Sequence, residues 1–376
     1  MLTLKDEVVK FRNSLSHGIY DSILKPAFFK RDPEAIHDKV VSFGSRLGKH
    51  AISRAGTKIL FGYSNKRLEQ NILGMTFKNP VGLSAGFDKN AELTDIIPNV
   101  GFGFEEVGSI TGRECEGNPL PRLWRLPESR GLVVYYGLKN DGALRVANRL
   151  KGKNFKSIIG TNIAMTNCDD NLELSNGVKD YAKAFEALAD VGDYFTLNIS
   201  CPNAVGGQPF IAPYKLDYLL DIIDEIPTEK PIFIKLSPDM SFREADEVLV
   251  VAKKHRIDGI ITTNLTKKRD DHKIIDENVP SVGGISGKPV QESADKLLSY
   301  IYKREGRRFI LIGTGGIFSA ADAYKKIRLG ASLVQMITGM IYEGPQVVSE
   351  INRGLVELLD RDGFKNISEA VGVDAW

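Results

Sequence analysis

The stretch Tyr194-Phe195-Thr196-Leu197-Asn198-Ile199-Ser200-Cys201-Pro202-Asn203 changes character halfway along. Residues 194–197 form an apolar run that reads as a buried strand. Pro202, Asn203 and the pair Gly206-Gly207 then have the composition of a loop. Two carboxamides, a hydroxyl and a thiol are thus set at a strand end, where a loop can close over them. Each Asn side chain offers two donors and an acceptor, which suits a flat polar ligand. The Cys201 thiol can act as a base or nucleophile if its pKa is lowered. A lone Cys is otherwise a small buried hydrophobe, and it is the crowding of polar groups around Cys201 that favours the chemical role.

Outward from this stretch the same pattern recurs. Short apolar runs at residues 80–85, 104–110, 157–164, 194–200, 231–236, 259–263, 309–313 and 332–338 alternate with longer amphipathic segments. Continuous apolar strands separated by helices imply a parallel sheet covered on both faces. Eight such units predict an α/β fold of the (β/α)8 TIM-barrel type. An open doubly wound sheet is the alternative, but no GxGxxG follows the first strand. Polar groups recur at the strand ends: residues 85–89, Ser109, Asn162, residues 198–203, Lys235, Thr263-Asn264, Gly315-Gly316 and Thr338-Gly339. In a barrel all of them point to the one face that carries active sites.

Residues 1–67 read differently. Val8, Val9, Phe11, Leu15, Ile19, Tyr20, Ile23, Leu24, Phe28 and Phe29 fall roughly at helical spacing, with Lys and Arg between them. Pro26 breaks or starts a helix. Asp32-Pro33-Glu34 combines a capping Asp, a first-turn Pro and an acid near the positive helix end. Ile36, Val40, Val41, Phe43 and Leu47 are expected to line one face. Residues 1–70 carry thirteen Lys and Arg against seven Asp and Glu, within a chain of net charge +2. Basic helices with aromatic faces lie in an anionic membrane interface, or they simply pack on the main domain; the periodicity leaves both open.

Composition bounds the rest. The 376 residues, 42% hydrophobic and 26% charged, are those of an ordinary globular protein, large enough for one barrel and an appendage. The small net charge argues against a nucleic-acid partner. Cys115, Cys168 and Cys201 are too widely spaced for a disulfide framework or a metal cluster. Five scattered His lack ligand spacing, so no metal site is expected. No apolar run approaches the ~18 residues of a membrane span, and residues 1–10 are too charged for a signal peptide.

Two glycine loops suggest a phosphate. Gly313-Thr314-Gly315-Gly316-Ile317 follows the seventh strand, and the loops after strands seven and eight are where barrels commonly hold one. Gly283-Gly284-Ile285-Ser286-Gly287 reads as a second glycine loop before that strand. Either alone is an ordinary turn; together they favour a phosphorylated cofactor. Lys235, inside the apolar run Ile232-Phe233-Ile234-Lys235-Leu236, is costly unless paired. Its head either reaches solvent or sits beside a cofactor that becomes anionic, as a reduced flavin does.

With these residues in view, the chain resembles the dihydroorotate dehydrogenases, in particular their membrane-associated, quinone-linked class. The resemblance rests on Arg31-Asp32-Pro33-Glu34-Ala35-Ile36-His37, on residues 75–83 and 85–89, on Gly117-Asn118 with Pro121-Arg122-Leu123-Trp124-Arg125-Leu126, and on residues 283–289 and 330–335. It covers nearly the whole chain. It implies FMN, oxidation of dihydroorotate to orotate in pyrimidine biosynthesis, and electrons passed to a membrane quinone. Ala85, Gly86, Ser109, Asn162, Asn198, Lys235, Thr263, Gly287, Gly316 and Thr338 would then hold the flavin and its phosphate. Lys89, Asn198, Asn203 and Asn264 would hold the substrate, and Cys201 would be the base. Residues 1–67 would form a quinone-access segment resting peripherally on the cytoplasmic face of the cytoplasmic membrane, and residues 68–376 the FMN barrel. Other readings keep the barrel but use a related substrate or a soluble acceptor (fumarate or a nicotinamide-linked partner), or bind flavin without catalysis.

Four positions depart from the family pattern. Cys201 stands where the quinone-linked class has Ser. Val134 stands at a substrate-binding Asn, Leu265 at a hydroxyl residue, and Ile337 at a tyrosine. The lost polar contacts predict a substrate side that grips with fewer hydrogen bonds.

Overall fold

The computed structural model describes residues 4–375; residues 1–3 and Trp376, the two ends of the expected units, lie outside the described residues. The N-terminal segment is helical, as the spacing predicts: α1 (Leu4–Ile19), α2 (Lys25–Phe29), α3 (Pro33–Gly48) and α4 (Ala51–Phe61). Pro26 lies in the first turn of α2, which continues directly from α1 through a π-helical turn at Tyr20–Leu24, so Pro26 interrupts the hydrogen bonding of this helical run without ending it. The Asp32 side chain accepts from Ala35 N at 2.8 Å and so caps α3, with Pro33 at its first turn. The single apolar face expected of α3 is divided. Ile36 and Val41 are buried, whereas Val40 and Phe43 are exposed at 38% and 61%. At 3.6 residues per turn Val41 lies more than a third of a turn from Ile36, so it joins the main core while its neighbours face outward.

Behind this segment lies the barrel. β1 (Gln70–Ile72) and β2 (Met75–Phe77) form an antiparallel hairpin. Then come β3 (Val81–Leu83), β4 (Phe104–Ile110), β5 (Leu123–Leu126), β6 (Gly131–Val134), β7 (Ile158–Ile163), β8 (Tyr194–Asn198), β9 (Ile232–Leu236), β10 (Gly259–Thr262), β11 (Gly284–Gly287), β12 (Ile310–Thr314) and β13 (Leu333–Met336). β3, β4, β7, β8, β9, β10, β12 and β13 pair in parallel, in that order, and β13 returns to β3. All eight apolar runs became its staves.

The barrel interior changes polarity along its axis. Ile72 and Phe77 of the hairpin pack with Phe104, Tyr194, Phe233, Ile312 and Leu333 into an apolar plug at the N-terminal end of the strands. Side chains two residues further along alternate strands return to the interior. These are Glu106, Thr196, Lys235 and Gln335, all buried. Residues between them, such as Leu83, Val107, Leu197 and Ile234, face the helical layer.

One part of the sequence reading is corrected. Residues 284–287 are not a glycine loop but a strand. β11 pairs antiparallel with β6, and β6 with β5, giving a three-stranded sheet above the barrel rim. Ladder hydrogen bonds to β6 supply the order that a Gly-Ile-Ser-Gly sequence lacks by itself. The sheet joins the insertion after the second stave to the one after the sixth.

The N-terminal segment is fastened to this rim by a buried ion pair. Arg122 Nε donates to both Glu34 oxygens, at 3.1 and 2.9 Å, and Arg122 Nη2 to Oε1 at 2.8 Å. Arg122 Nη1 also donates to Glu116 O and Asn118 O. Burial would raise the Glu34 carboxyl pKa, but the Arg122 hydrogen bonds and charge, with Lys139, hold it below the usual range. Its contribution to stability is therefore present above the ordinary carboxylate range and lost as pH falls through its lowered pKa. Replacing Glu34 by Ala strands Arg122 and is expected to cost about 3 kcal/mol. Urea melts at neutral pH check this. The deficit should shrink on acidification, and limited proteolysis should cut the N-terminal segment first.

Candidate active site

The staves bring the polar residues to one cavity of about 520 Å³ at the C-terminal end of the barrel. Ala85, Gly86, Lys89, Ser109, Asn198, Cys201, Asn203, Lys235, Thr263, Asn264, Gly287, Gly316 and Thr338 all line it. Asn162 does not. It is fully buried one layer deeper and reaches the cavity wall through the Ser109 hydroxyl, which donates to Asn162 Oδ1. A β-bulge sets Ser109: three steps of β4 from Val107 to Ile110 oppose two of β7. Gly108 makes the bulge feasible. It has φ +109°, and a Cβ there would lie 2.5 Å from Asn162 O.

Amides dominate the polar wall. Asn198 Nδ2 donates to Ser109 Oγ at 2.8 Å, while Asn198 Oδ1 accepts from Asn264 Nδ2 at 3.0 Å. Asn264 Nδ2 also donates to Ser200 Oγ at 3.1 Å. Asn203 Nδ2 donates to Val134 O at 2.8 Å, and its own Oδ1 is buried without a partner. Val134 thus contributes its backbone carbonyl where its side chain offers nothing polar. Asn118 Nδ2 donates to Asn203 O and holds the loop after β8 over the cavity.

Two lysines bring charge. The Lys89 ammonium lies 3.9 Å from the Tyr136 ring centroid and 3.5 Å from His37 Nε2. Burial lowers its pKa to about 8, against the pull of Asp38 and Glu34. Lys235 is 4% exposed and donates to Ser84 Oγ at 3.2 Å. Burial lowers its pKa too, opposed by Glu106. The Cys201 thiol is pushed up to about 11 by burial, with the Asn203 and Ala204 backbone pulling the other way. Burial therefore works against the lowered pKa that a base would need, because the wall that shapes the site also strips water from the sulfur.

The residues fit a phosphorylated flavin. Lys235 uses one of its three donors on the protein, which leaves it free for an electron-rich ring. Gly315 and Gly316, at φ +92° and +75°, present bare backbone; a Cβ at 316 would lie 2.3 Å from Gln291 Cβ. Thr338 Oγ1 pairs with Ser286 Oγ at 2.8 Å across the same corner.

The cavity continues between the N-terminal helices. Phe28, Phe29, Ile36, Phe43 and Phe61 line this part with Leu132 and Ile337. Its polar groups are mostly satisfied by backbone. Tyr20 OH donates to Ile341 O at 2.6 Å, and Arg125 Nη1 to Arg31 O at 2.8 Å. The Arg125 guanidinium also stacks 4.7 Å from the Phe29 ring centroid. Sequence reasoning did not single out Tyr136, Arg125, His37 or Glu106 for this site. The signal existed for Glu106 alone, since Glu105-Glu106 interrupts an apolar strand.

The chain is similar to known proteins over nearly its whole length. The family model described as Dihydroorotate dehydrogenase matches residues 67–359. The chain is 38% identical over 360 residues to the dihydroorotate dehydrogenase (quinone) of Natronomonas pharaonis, covering 95% of this chain and 99% of that protein. It is 38% identical over 372 residues to the enzyme of the same name from Nostoc punctiforme, covering 95% and 98%. Among solved structures, DHODH from Eimeria tenella in complex with ferulenol superposes with a TM-score of 0.82 at 30% identity. That match covers 91% of this chain and 96% of the other.

The raised Cys201 pKa has a direct readout. Alkylation by iodoacetamide, followed by peptide mass spectrometry, should be slow at neutral pH and accelerate about tenfold per pH unit toward pH 11. A labelling rate already level near pH 8 contradicts the burial argument.

Proposed function

The chain belongs to the dihydroorotate dehydrogenase family, and from that premise we propose that it oxidises dihydroorotate to orotate with FMN as its flavin, and reduces a quinone at a membrane surface. This is a step of pyrimidine biosynthesis. The observation that carries the reading is one cavity lined both by Lys89, Asn198, Cys201 and Asn203 and by aromatic side chains of the N-terminal helices. Bound there, the flavin supplies hydride acceptance from the substrate and electron release to the quinone.

The chain's own residues supply the rest. Gly287, Gly315, Gly316 and Thr338 offer backbone and hydroxyl donors to the phosphate, and Lys235 offers a buried cation to the ring. Lys89 attracts the substrate carboxylate. Asn198, Asn203 and Asn264 fix the plane of the pyrimidine ring. The unpartnered Asn203 Oδ1 is an acceptor awaiting a ring N–H. Cys201 Sγ takes the proton from the carbon beside the carbonyl, while the adjacent carbon gives up hydride. Val134 and Leu265 reduce the polar grip on the substrate, and Ile337 with Phe29 makes the quinone end strongly apolar.

No helix is long and apolar enough to cross a membrane among the described residues. Phe11, Ile52 and Ile59 are exposed at 75%, 89% and 73% among basic neighbours. The exposed apolar side chains support peripheral docking, which we place on the cytoplasmic face of the cytoplasmic membrane.

Anaerobic addition of dihydroorotate should bleach the flavin band, and Cys201→Ala should abolish the bleaching. Below about pH 8, kcat/KM should rise about tenfold per unit as the thiolate fraction grows while Lys89 stays charged; above that, loss of the Lys89 proton offsets the gain and the curve levels. A flat profile from about pH 6 to 8 removes Cys201 as the base. The membrane part is separable. Phe11→Glu combined with Ile52→Glu should reduce cosedimentation with anionic liposomes and slow quinone-linked turnover, while turnover with a soluble dye persists. Equal loss with both acceptors points to misfolding rather than docking.

A further inference from the structure

Beneath the cavity, Glu106 is fully buried inside the barrel and accepts four hydrogen bonds. Asn162 Nδ2 donates to Oε1 at 2.7 Å. Tyr194 OH, Thr196 Oγ1 and Gln335 Nε2 donate to Oε2 at 3.2, 3.1 and 3.0 Å. With four donors converging on its two oxygens, the Glu106 carboxylate occupies only acceptor positions, so the Asn162 amide turns its NH₂ downward and its carbonyl upward. Asn162 Oδ1 then accepts from the Ser109 hydroxyl. With its proton committed downward, Ser109 Oγ accepts from Asn198 Nδ2. That fixes Asn198 Oδ1 toward Asn264 Nδ2 and the Ser200 hydroxyl. Asn264 Oδ1 in turn accepts from Leu265 N at 2.9 Å.

We propose that Glu106 is a positioning residue that holds, through the single-direction chain Asn162–Ser109–Asn198–Asn264, which side of the Asn198 and Asn264 carboxamides donates and which accepts. An amide can turn over at little steric cost. At the upper end the Ser200 and Leu265 backbone N–H groups donate to Asn198 Oδ1 at 3.3 Å and to Asn264 Oδ1, and the buried carboxylate holds the same pattern from below. The inference deepens the proposed dihydroorotate site and rests on that reading.

Glu106→Gln makes a specific prediction. Three donors converge on Oε2, so the Gln carbonyl takes that place and its NH₂ takes the place of Oε1, facing Asn162. Asn162 must then turn over, Ser109 must donate upward, and Asn198 must present NH₂ where Asn264 and Ser200 now donate. The size of the side chain is unchanged.

The test titrates orotate into the flavin-loaded enzyme and reads the perturbation of the flavin absorbance, with KM and kcat measured alongside. Glu106→Gln is expected to raise the orotate Kd and the dihydroorotate KM about tenfold, with a much smaller change in kcat. Ser109→Ala cuts the chain above the buried carboxylate and should shift Kd the same way by a smaller factor. Thr196→Val removes one donor to Glu106 without reversing any amide. It should lower the melting temperature yet keep Kd within about twofold. Unchanged orotate affinity in a folded Glu106→Gln variant overturns the proposal, and so does a Thr196→Val variant that weakens orotate as much as Glu106→Gln does. If Glu106→Gln does not fold, unchanged affinity in Ser109→Ala decides against it. A wild-type protein whose flavin does not respond to orotate overturns the substrate reading itself, and the proposal with it.

Discussion

A ring of eight parallel strands has no free edge, and closing it forces every stave to tilt and stagger in step with its neighbours. That closure is the constraint on which the rest of this protein depends. Once β13 returns to β3, the C-terminal ends of all eight strands converge on one mouth. Side chains separated by more than two hundred residues, such as Ala85 and Thr338, then share one wall. The interior below must also be filled. The aromatic plug of Phe104, Tyr194 and Phe233 fills the far end and excludes water from it. Any polar group in the layers above therefore needs a protein partner, and the Glu106 cluster meets that need completely for the carboxylate.

Electrostatics at the mouth follow from the same enclosure. Burial moves Lys89, Lys235 and Cys201 each toward its uncharged form. A site that must hold an anionic substrate and an electron-rich cofactor gains from this, because the lysine charges become most favourable when a ligand arrives. The thiol pays in the opposite sense, since its useful form is the charged one. Arg122 and Glu34 show the other outcome of burial, where matched geometry keeps both charges.

Much of this was legible in the sequence, for identifiable reasons. Apolar staves announce themselves because parallel strands are covered on both faces and cannot alternate. The cap at Asp32 was legible because a side-chain acceptor, Pro33 and Glu34 each answer a local need. What escaped was whatever depends on partners distant in the chain. β11 has too little side chain to look like a strand, and only β6 makes it one. Val41 left its expected face because the core it joins lies across the molecule. The raised pKa of Cys201 was not legible, because burial cannot be counted from its neighbours in sequence. Asn162 was placed correctly on its strand but one layer too high, since the bulge that gives the upper position to Ser109 is set by cross-strand register.

The strand β6 joins the two regions of the cavity. Leu132 packs among Leu123, Tyr136 and Tyr342 beside the aromatic passage, while two residues on the Val134 carbonyl receives Asn203. Val133 between them is locked on the opposite face against Leu126 and Ile285. A four-residue strand pinned in this way moves as a unit. A molecule that displaces Leu132 must also shift the acceptor that orients Asn203, and a ligand that tightens Asn203 stiffens the wall of the passage. The two regions of the cavity thus share one backbone segment, and any coupling between their occupants is reciprocal by linkage.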